Sequence, residues 1–484
     1  MKKLDALTTT RFFAAITVLF FHGGAGLFPL NLYPITPLFT SGTVFVSYFF
    51  VLSGFILAYV YYRPQENFRF GYFWSARFAR IYPVYLFSFG LVSLYYIDII
   101  TRIKPQKIWA SILLVQAWIP KYALSFNIAA WSLSVEAFFY IIFPFLILWA
   151  YRQNFRKLAT TSLALWAASQ IIHIYLLNSL GTESKHFLSY YPLFHLNAFL
   201  IGVVGGIWFQ KKTSDQAIQQ KKNARLFWIS ILFTASIILW DYQQTKMGNA
   251  TIRLSLDNGI LAPVFLLTII TLALDETKLS KILSHPWLVL LGEASYVLYI
   301  VHIPIRWSLE KIVETNGINI PYTLLYYSYV PLVIAFSILV HKQIEKPARA
   351  WLQSEFEQGL KGSRALLLFS DGLIVLLAVK LSFWLRLGNT MQLEFYAPAA
   401  SLMLFSAFII RLFSLHIWDE KTGYSPYFSR TALGSLVIAA IMFMAQGFGW
   451  IDGFPKTVLL IEYLLFSGVT GLLRYRAGYY SSND

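Results

Sequence analysis

The sequence predicts an all-α polytopic membrane protein, a ten-helix bundle followed by a C-terminal four-helix membrane module, and three observations predict it. Of its 484 residues, 57% are hydrophobic and only 13% are charged, where soluble domains carry about a quarter. Apolar windows of about 20 residues, the length that crosses a bilayer as a helix, recur along the chain. The 39 Lys and Arg outnumber the 23 Asp and Glu, and the resulting charge of +16 lies in short loops between those windows. Such a placement sets the orientation of a multi-span protein. A nucleic-acid binder would instead gather the charge on a polar domain, so no nucleic-acid partner is expected. The composition excludes a disordered or collagen-like chain. With no cysteine, a disulfide scaffold, a thiolate-held metal and thiol catalysis are excluded.

The first window, 5–24, follows Lys2 and Lys3 and holds Arg11, with His22 at its edge. It reads as an uncleaved span rather than a signal peptide. Further spans are expected at 42–62, 81–99, 129–150, 158–178, 189–210, 225–241, 255–274, 287–308 and 322–341. The apolar stretch 108–119 is too short to cross and is expected to be re-entrant or interfacial on the outer side. Basic loops at 63–80, 152–157, 211–225, 278–281 and 342–349 then fall on the cytoplasmic side, with Arg102, Lys104 and Lys107 as the outer exception. Pro347 and the polar stretch up to Arg364 mark a boundary. The expected organisation is a ten-span domain at 1–350, a linker at 351–363, a four-span module at 364–476 and a polar tail at 477–484. The module's windows are 365–385, 394–415, 431–449 and 456–474. Both termini are expected in the cytoplasm.

Ionisable residues inside a bilayer are costly, so each needs a partner or a task. Arg11 and His22 are eleven residues apart, about three helical turns and roughly 16 Å along one face. They suggest a polar route through the membrane, although a snorkelling arginine and an unrelated interfacial histidine would use the same spacing. Arg77 and Arg80 share a helical face. Two guanidiniums there suit phosphate by bidentate hydrogen bonding, or act as a topological anchor. Glu136 lies one or two turns into an apolar span, where a carboxylate must pair, accept hydrogen bonds or be protonated. Three roles are open to it: orienting His22, pairing with Arg11, or serving as a satisfied helix-packing carboxylate. Ser53 and His302 admit a substrate-binding or a structural role, and the Ser53-Gly54 pair suits close helix packing. No His-Glu-x-x-His, phosphate-binding glycine loop or Asp-x-Asp occurs, and no metal site is expected.

Taken together, these stretches resemble the acyltransferase-3 family, integral-membrane acyltransferases that modify surface glycans. The likeness is carried by Leu4-Asp5-Ala6-Leu7 leading to Arg11 and His22, by Phe49-Phe50-Val51-Leu52-Ser53-Gly54-Phe55, and by Arg77-x-x-Arg80-Ile81-Tyr82-Pro83. It continues in Trp131-Ser132-Leu133-Ser134-Val135-Glu136 with Phe139-Tyr140 and Pro144, in Ser295-Tyr296-x-x-Tyr299-x-x-His302, and in Ile344-Glu345-Lys346-Pro347. The resemblance covers about residues 1–350. It implies a cytoplasmic acyl-CoA donor, usually acetyl-CoA, with Arg77 and Arg80 on the CoA side. It also implies His22 as the catalytic residue, Arg11 in the same motif, and Glu136 at an acidic position of less settled role. The acceptor would be a hydroxyl of a cell-surface or exopolysaccharide glycan or glycolipid, and the location a bacterial cytoplasmic (inner) membrane.

The C-terminal part resembles the four-span membrane module of nucleotide-sugar dehydratase and epimerase proteins of polysaccharide biosynthesis. Arg364, Asp371 and Arg386 match its first helix, and Pro455 to Glu462 with Arg474 its fourth. Without the dehydratase or epimerase domain itself, the module implies an anchor or a docking surface for a polysaccharide-biosynthesis partner. Two other readings fit the composition: a transporter or flippase for a glycan or lipid intermediate, and a non-catalytic scaffold for polysaccharide assembly.

Overall fold

A computed structural model describes residues 4–64, 68–95, 104–180, 187–214, 224–247, 254–357, 424–447 and 454–476, with residue 451 and scattered positions from 374 to 407. Every regular element among them is helical. In chain order these are α1 (Asp5–Phe21), α2 (Thr36–Thr40), α3 (Val44–Tyr61), α4 (Phe70–Tyr95), α5 (Pro105–Ile112), α6 (Trp131–Tyr151), α7 (Phe155–Ser179) and α8 (Pro192–Ser214). They continue as α9 (Ala224–Met247), α10 (Ala262–Leu274), α11 (Lys278–Leu283), α12 (Pro286–Thr315), α13 (Tyr322–Val340), α14 (Lys346–Glu357), α15 (Tyr424–Gly447) and α16 (Thr457–Arg476).

Each of the ten windows read from the first 350 residues falls on a helix. Among the described residues, seven helical segments are long and apolar enough to cross a bilayer, those built on α3, α6, α7, α8, α9, α12 and α13, and the chain is a polytopic membrane protein. The other three fall short of that measure. α1 has 17 residues and α10 has 13, while α4 interleaves Arg77 and Arg80 with its apolar residues. The window expected from 255 becomes helical only at Ala262, because Leu256–Asn258 form a tight turn and Gly259 follows at φ +82°. That left-handed conformation is open to glycine.

The stretch 108–119 does not form a spanning helix. α5 has eight residues, about 12 Å of helix against a hydrocarbon core of about 30 Å. Its Trp109 is 62% exposed while Ala110 and Ser111 are buried. The chain then folds onto α6, where Ser134 Oγ donates to the Leu114 carbonyl at 2.6 Å and Gln116 Nε2 to the Ala130 carbonyl at 3.0 Å.

Close helix packing follows from glycine. A Cβ at Gly54 would overlap the Phe199 carbonyl, at Gly202 the Val51 carbonyl and at Gly206 the Phe55 carbonyl. α3 and α8 therefore meet backbone to backbone, as small residues allow between membrane helices. Gly292 brings α12 against the backbone of Thr8 in α1 in the same way.

The chain divides into two compact units, Met1–Ser88 with Gln106–Pro347, and Phe89–Pro105 with Ala348–Asp484. A π-turn at His341–Glu345 leads into α14, which runs on to Glu357 through the start of the expected linker. Pro347 does not break it, since proline is tolerated in a first helical turn. The second unit has its own apolar core, including Val379, Phe383, Met403, Ile438, Met442 and Phe466. Most of the expected spans 365–385 and 394–415, together with Lys2, Lys3, Arg102, Arg364 and Asp371, lie outside the described residues.

Candidate active site

The site is assembled around a proline-induced joint. Pro304 lies inside the continuous α12, and having no amide hydrogen it leaves the Ile300 carbonyl without its helical donor. Two buried side chains supply the missing bonds: Asn127 Nδ2 donates to the Ile300 carbonyl at 2.7 Å and Ser88 Oγ at 2.9 Å. Asn127 Nδ2 also reaches Ser88 Oγ at 2.9 Å, and its Oδ1 accepts from the Ala129 amide at 3.0 Å, opening the turn that enters α6. One asparagine thereby ties together the three elements that carry the Arg77-x-x-Arg80, Trp131-to-Glu136 and Ser295-to-His302 motifs.

Inside the first unit, a cavity of about 280 Å³ is walled by α1, α3, α4, α6 and α12. Five of the residues singled out in the sequence line it: Arg11, Ser53, Arg77, Arg80 and Glu136. Ser132, Glu136 and Tyr140 lie on one face of α6 at i, i+4 spacing, and all three reach the cavity. Glu136 Oε1 accepts from Tyr140 Oη at 2.5 Å and from Ser53 Oγ at 3.3 Å. Ser53 thus faces polar chemistry while the adjacent Gly54 does the packing. The Ser132 hydroxyl donates to the Ala129 carbonyl at 3.0 Å and meets Tyr299 Oη at 2.8 Å, and Tyr296 Oη donates to the Ile81 carbonyl at 2.7 Å.

The Arg77 guanidinium sits among the rings of Tyr61, Phe73 and Tyr140, 5.7, 5.9 and 5.8 Å from their centroids. Aromatic faces hold a cation without neutralising it, and Arg77 Nε is buried without a hydrogen-bond partner. Three guanidiniums and one carboxylate give the lining an excess of two positive charges, which suits an anion such as phosphate. Among the described residues, no group of three His, Asp or Glu could hold a metal ion.

His22 and His302 are not on the cavity lining. His22 caps the end of α1, and its Nδ1 lies 3.0 Å from the Val18 carbonyl and 3.1 Å from His302 Nε2. His302 Nδ1 lies 2.7 Å from the Tyr299 carbonyl, and Tyr329 Oη donates to the His302 carbonyl at 2.7 Å. Tyr299 connects the two sites, because its ring lines the cavity while its carbonyl holds His302. Arg306 donates to the His22 carbonyl and stands 3.6 Å from Glu310. Glu136 makes no direct hydrogen bond or ion pair with Arg11 or His22, and its hydrogen-bond partners are Tyr140 and Ser53.

Arg306 was not singled out in the sequence, and Tyr140 and Tyr299 were noted only as members of motifs. Each stands three or four residues from a residue that was singled out, Glu136 or His302, so helical spacing alone could have drawn attention to them.

A helical bundle enclosing a cationic, tyrosine-lined cavity defines an integral-membrane protein with a buried polar site. The chain belongs to the acyltransferase-3 family, whose model, an acyltransferase domain, matches residues 4–342. That match contains the whole site. Among curated relatives, acyltransferase MdmB of Streptomyces mycarofaciens is 35% identical over 152 residues, 29% of this chain and 38% of that protein. O-acetyltransferase OatA of Staphylococcus aureus (strain MRSA252) is 25% identical over 415 residues, 77% of this chain and 63% of that protein. A putative O-acetyltransferase, SACOL0978 of Staphylococcus aureus (strain COL), is 26% identical over 344 residues, 64% and 53% of the two chains. The chain spans less than two thirds of the length of each of these relatives. No solved structure matches it.

Proposed function

We propose that the protein is an O-acyltransferase that moves an acyl group, with acetyl the expected case, from cytoplasmic acyl-CoA to a hydroxyl of a cell-surface or exopolysaccharide glycan. The observation that carries the reading is the cavity in which Arg11, Arg77 and Arg80 face a single carboxylate, Glu136. The names of the relatives, O-acetyltransferases among them, support the reaction class. Phosphates cannot enter hydrocarbon uncompensated, and Arg77 and Arg80 would hold those of CoA at the cytoplasmic end. At about 280 Å³ the cavity is near the lower end of pockets that bury a drug-sized ligand. A CoA donor would lay only part of its length there, with its thioester directed past Tyr299 towards His22.

His22 would act as general base, since imidazole titrates near neutral pH. As the acceptor oxygen attacks the thioester carbonyl carbon, its proton passes to the imidazole. The carbon–sulfur bond then breaks and the CoA thiolate takes that proton, giving ester and free CoA. An acyl-histidine intermediate would use the same histidine. The basic loops orient both termini to the cytoplasm and fit a bacterial inner membrane. The C-terminal unit would serve as an anchor or as a docking surface for a polysaccharide-biosynthesis partner.

Vesicles holding the full-length protein test this, given labelled acetyl-CoA on the cytoplasmic side and a polysaccharide acceptor on the other. Wild type should label the acceptor and His22→Ala should not. Equal labelling by both would remove His22 from the chemistry. Glycan crossing the membrane with no acyl transfer from any CoA donor would establish a transporter instead.

A further inference from the structure

We infer that His302 is a positioning residue for His22, and that the pair holds one arrangement of protons in which both imidazoles carry hydrogen on Nδ1 and His22 presents a bare Nε2. The catalytic consequence rests on the proposed function; the proton arrangement does not. It follows from counting donors and acceptors. A neutral imidazole has one N–H and one lone pair, while a backbone carbonyl can only accept. His302 Nδ1 faces the Tyr299 carbonyl at 2.7 Å, so it must carry the hydrogen, and His302 Nε2 is then a lone pair. That lone pair faces His22 Nδ1 at 3.1 Å, and the Val18 carbonyl faces the same nitrogen at 3.0 Å. Two acceptors converge on His22 Nδ1, which must therefore be the donor. The opposite assignment would set two nitrogen lone pairs against two carbonyl oxygens at 2.7 and 3.0 Å.

The consequence concerns His22 Nε2. It is left with a lone pair and no proton, the form required of a general base and of a nucleophile alike. When Nε2 takes a proton, the positive charge spreads to Nδ1–H, and the His302 lone pair is already aimed at that hydrogen without moving any proton of its own. His302 is thus suited to stabilise the imidazolium as a neutral acceptor. The charged and titratable groups around the pair are Arg306, which donates to the His22 carbonyl, its neighbour Glu310, and the hydroxyls of Tyr326 and Tyr329 on α13. None of them is hydrogen-bonded to a ring nitrogen of either histidine.

The test uses full-length protein with ¹⁵N-histidine in bilayers, its ring signals assigned from the His22→Gln and His302→Gln variants. Both rings should show a protonated Nδ1 and a bare Nε2; a protonated Nε2 on either neutral ring overturns the arrangement. Turnover tests the positioning role. His302→Leu, which cannot accept, should lower kcat about 10-fold or more while both KM values hold within about 2-fold, the expected size for a hydrogen bond to a charged group. His302→Gln, whose carbonyl oxygen can take the place of Nε2, should recover most of that loss. Equal kcat for His302→Leu and wild type, or equal losses in the two variants with unchanged melting, would overturn the role. If His22→Ala transfers acyl groups as well as wild type, the proposed function fails and the ¹⁵N spectrum still decides the proton arrangement.

Discussion

Replacing Asn127 by leucine should uncouple the proline-containing turn of α12 from the turn that enters α6. The asparagine is 2% exposed and makes three hydrogen bonds, to the Ile300 carbonyl at 2.7 Å, to Ser88 Oγ at 2.9 Å and from the Ala129 amide at 3.0 Å. At a net worth of about 1 kcal/mol each, their removal costs about 3 kcal/mol. Ser88 Oγ still donates to Ile300, so that carbonyl is not stranded, but the buried Ala129 amide loses its acceptor, and the penalty for a buried unsatisfied group makes about 3 kcal/mol the lower bound. Ser88→Ala should cost about 2 kcal/mol, because it removes the bond to the Ile300 carbonyl and the one from Asn127 Nδ2 while Asn127 still covers the Ile300 oxygen. The cause is Pro304, so Pro304→Ala, which restores an amide hydrogen at that position, should lessen the cost of Asn127→Leu by about 1 kcal/mol. Thermal unfolding of the four proteins in one detergent closes the double-mutant cycle. If Asn127→Leu lowers Tm equally with proline and with alanine at 304, the Ile300 carbonyl does not link the two residues and the argument fails.

Three further outcomes follow from the same geometry. Gly202→Ala should destabilise the protein by about 2 kcal/mol, because the new methyl meets the Val51 backbone, whereas Gly205→Ala, which meets only the Leu266 side chain, should be near neutral; the estimate sets about 3 kcal/mol of overpacking against about 1 kcal/mol of gained helix propensity, and equal Tm values for the two would refute it. Tyr140→Phe removes the 2.5 Å bond to Glu136 and keeps the ring beside Arg77, so kcat/KM should fall about 10-fold with Tm little changed; an unaltered rate would take Glu136 out of the reaction. Arg80→Ala should raise the donor KM about 10-fold or more and leave the acceptor KM within about 2-fold, as loss of a charged hydrogen bond to phosphate requires; steady-state kinetics with each substrate varied in turn decides it.

The sequence disclosed most where the physics is local. Hydrocarbon thickness sets a window of about 20 residues, and every window in the first 350 residues became a helix. The limits of that reading were local as well: Gly259, at φ +82°, delays α10 to Ala262, a requirement of backbone conformation that hydropathy does not record. Relations along one helix were legible, such as Arg77 with Arg80 at three residues and Glu136 with Tyr140 at four. Partners on different helices were not. No periodicity announces that Asn127 must satisfy Ile300, since that need arises from a proline four residues beyond the carbonyl and is met from elsewhere in the chain.

The partners of Glu136 show what the sequence lacked. A carboxylate orienting a histidine is the familiar arrangement in water-filled active sites, and it is one of the roles the sequence leaves open for Glu136. Within a membrane domain the energetics differ, because a carboxylate set beside a histidine on an apolar wall would be desolvated without full compensation. The structure separates the two functions. The negative charge stays in the cavity with three guanidiniums, held by Tyr140 and Ser53, while His22 is oriented only by neutral acceptors, the Val18 carbonyl and His302. A neutral partner costs little to bury when His22 is neutral and acts most strongly when His22 becomes charged. For the base proposed above, which would gain and lose one proton each turnover in a low-dielectric setting, that difference between the two states is the useful quantity.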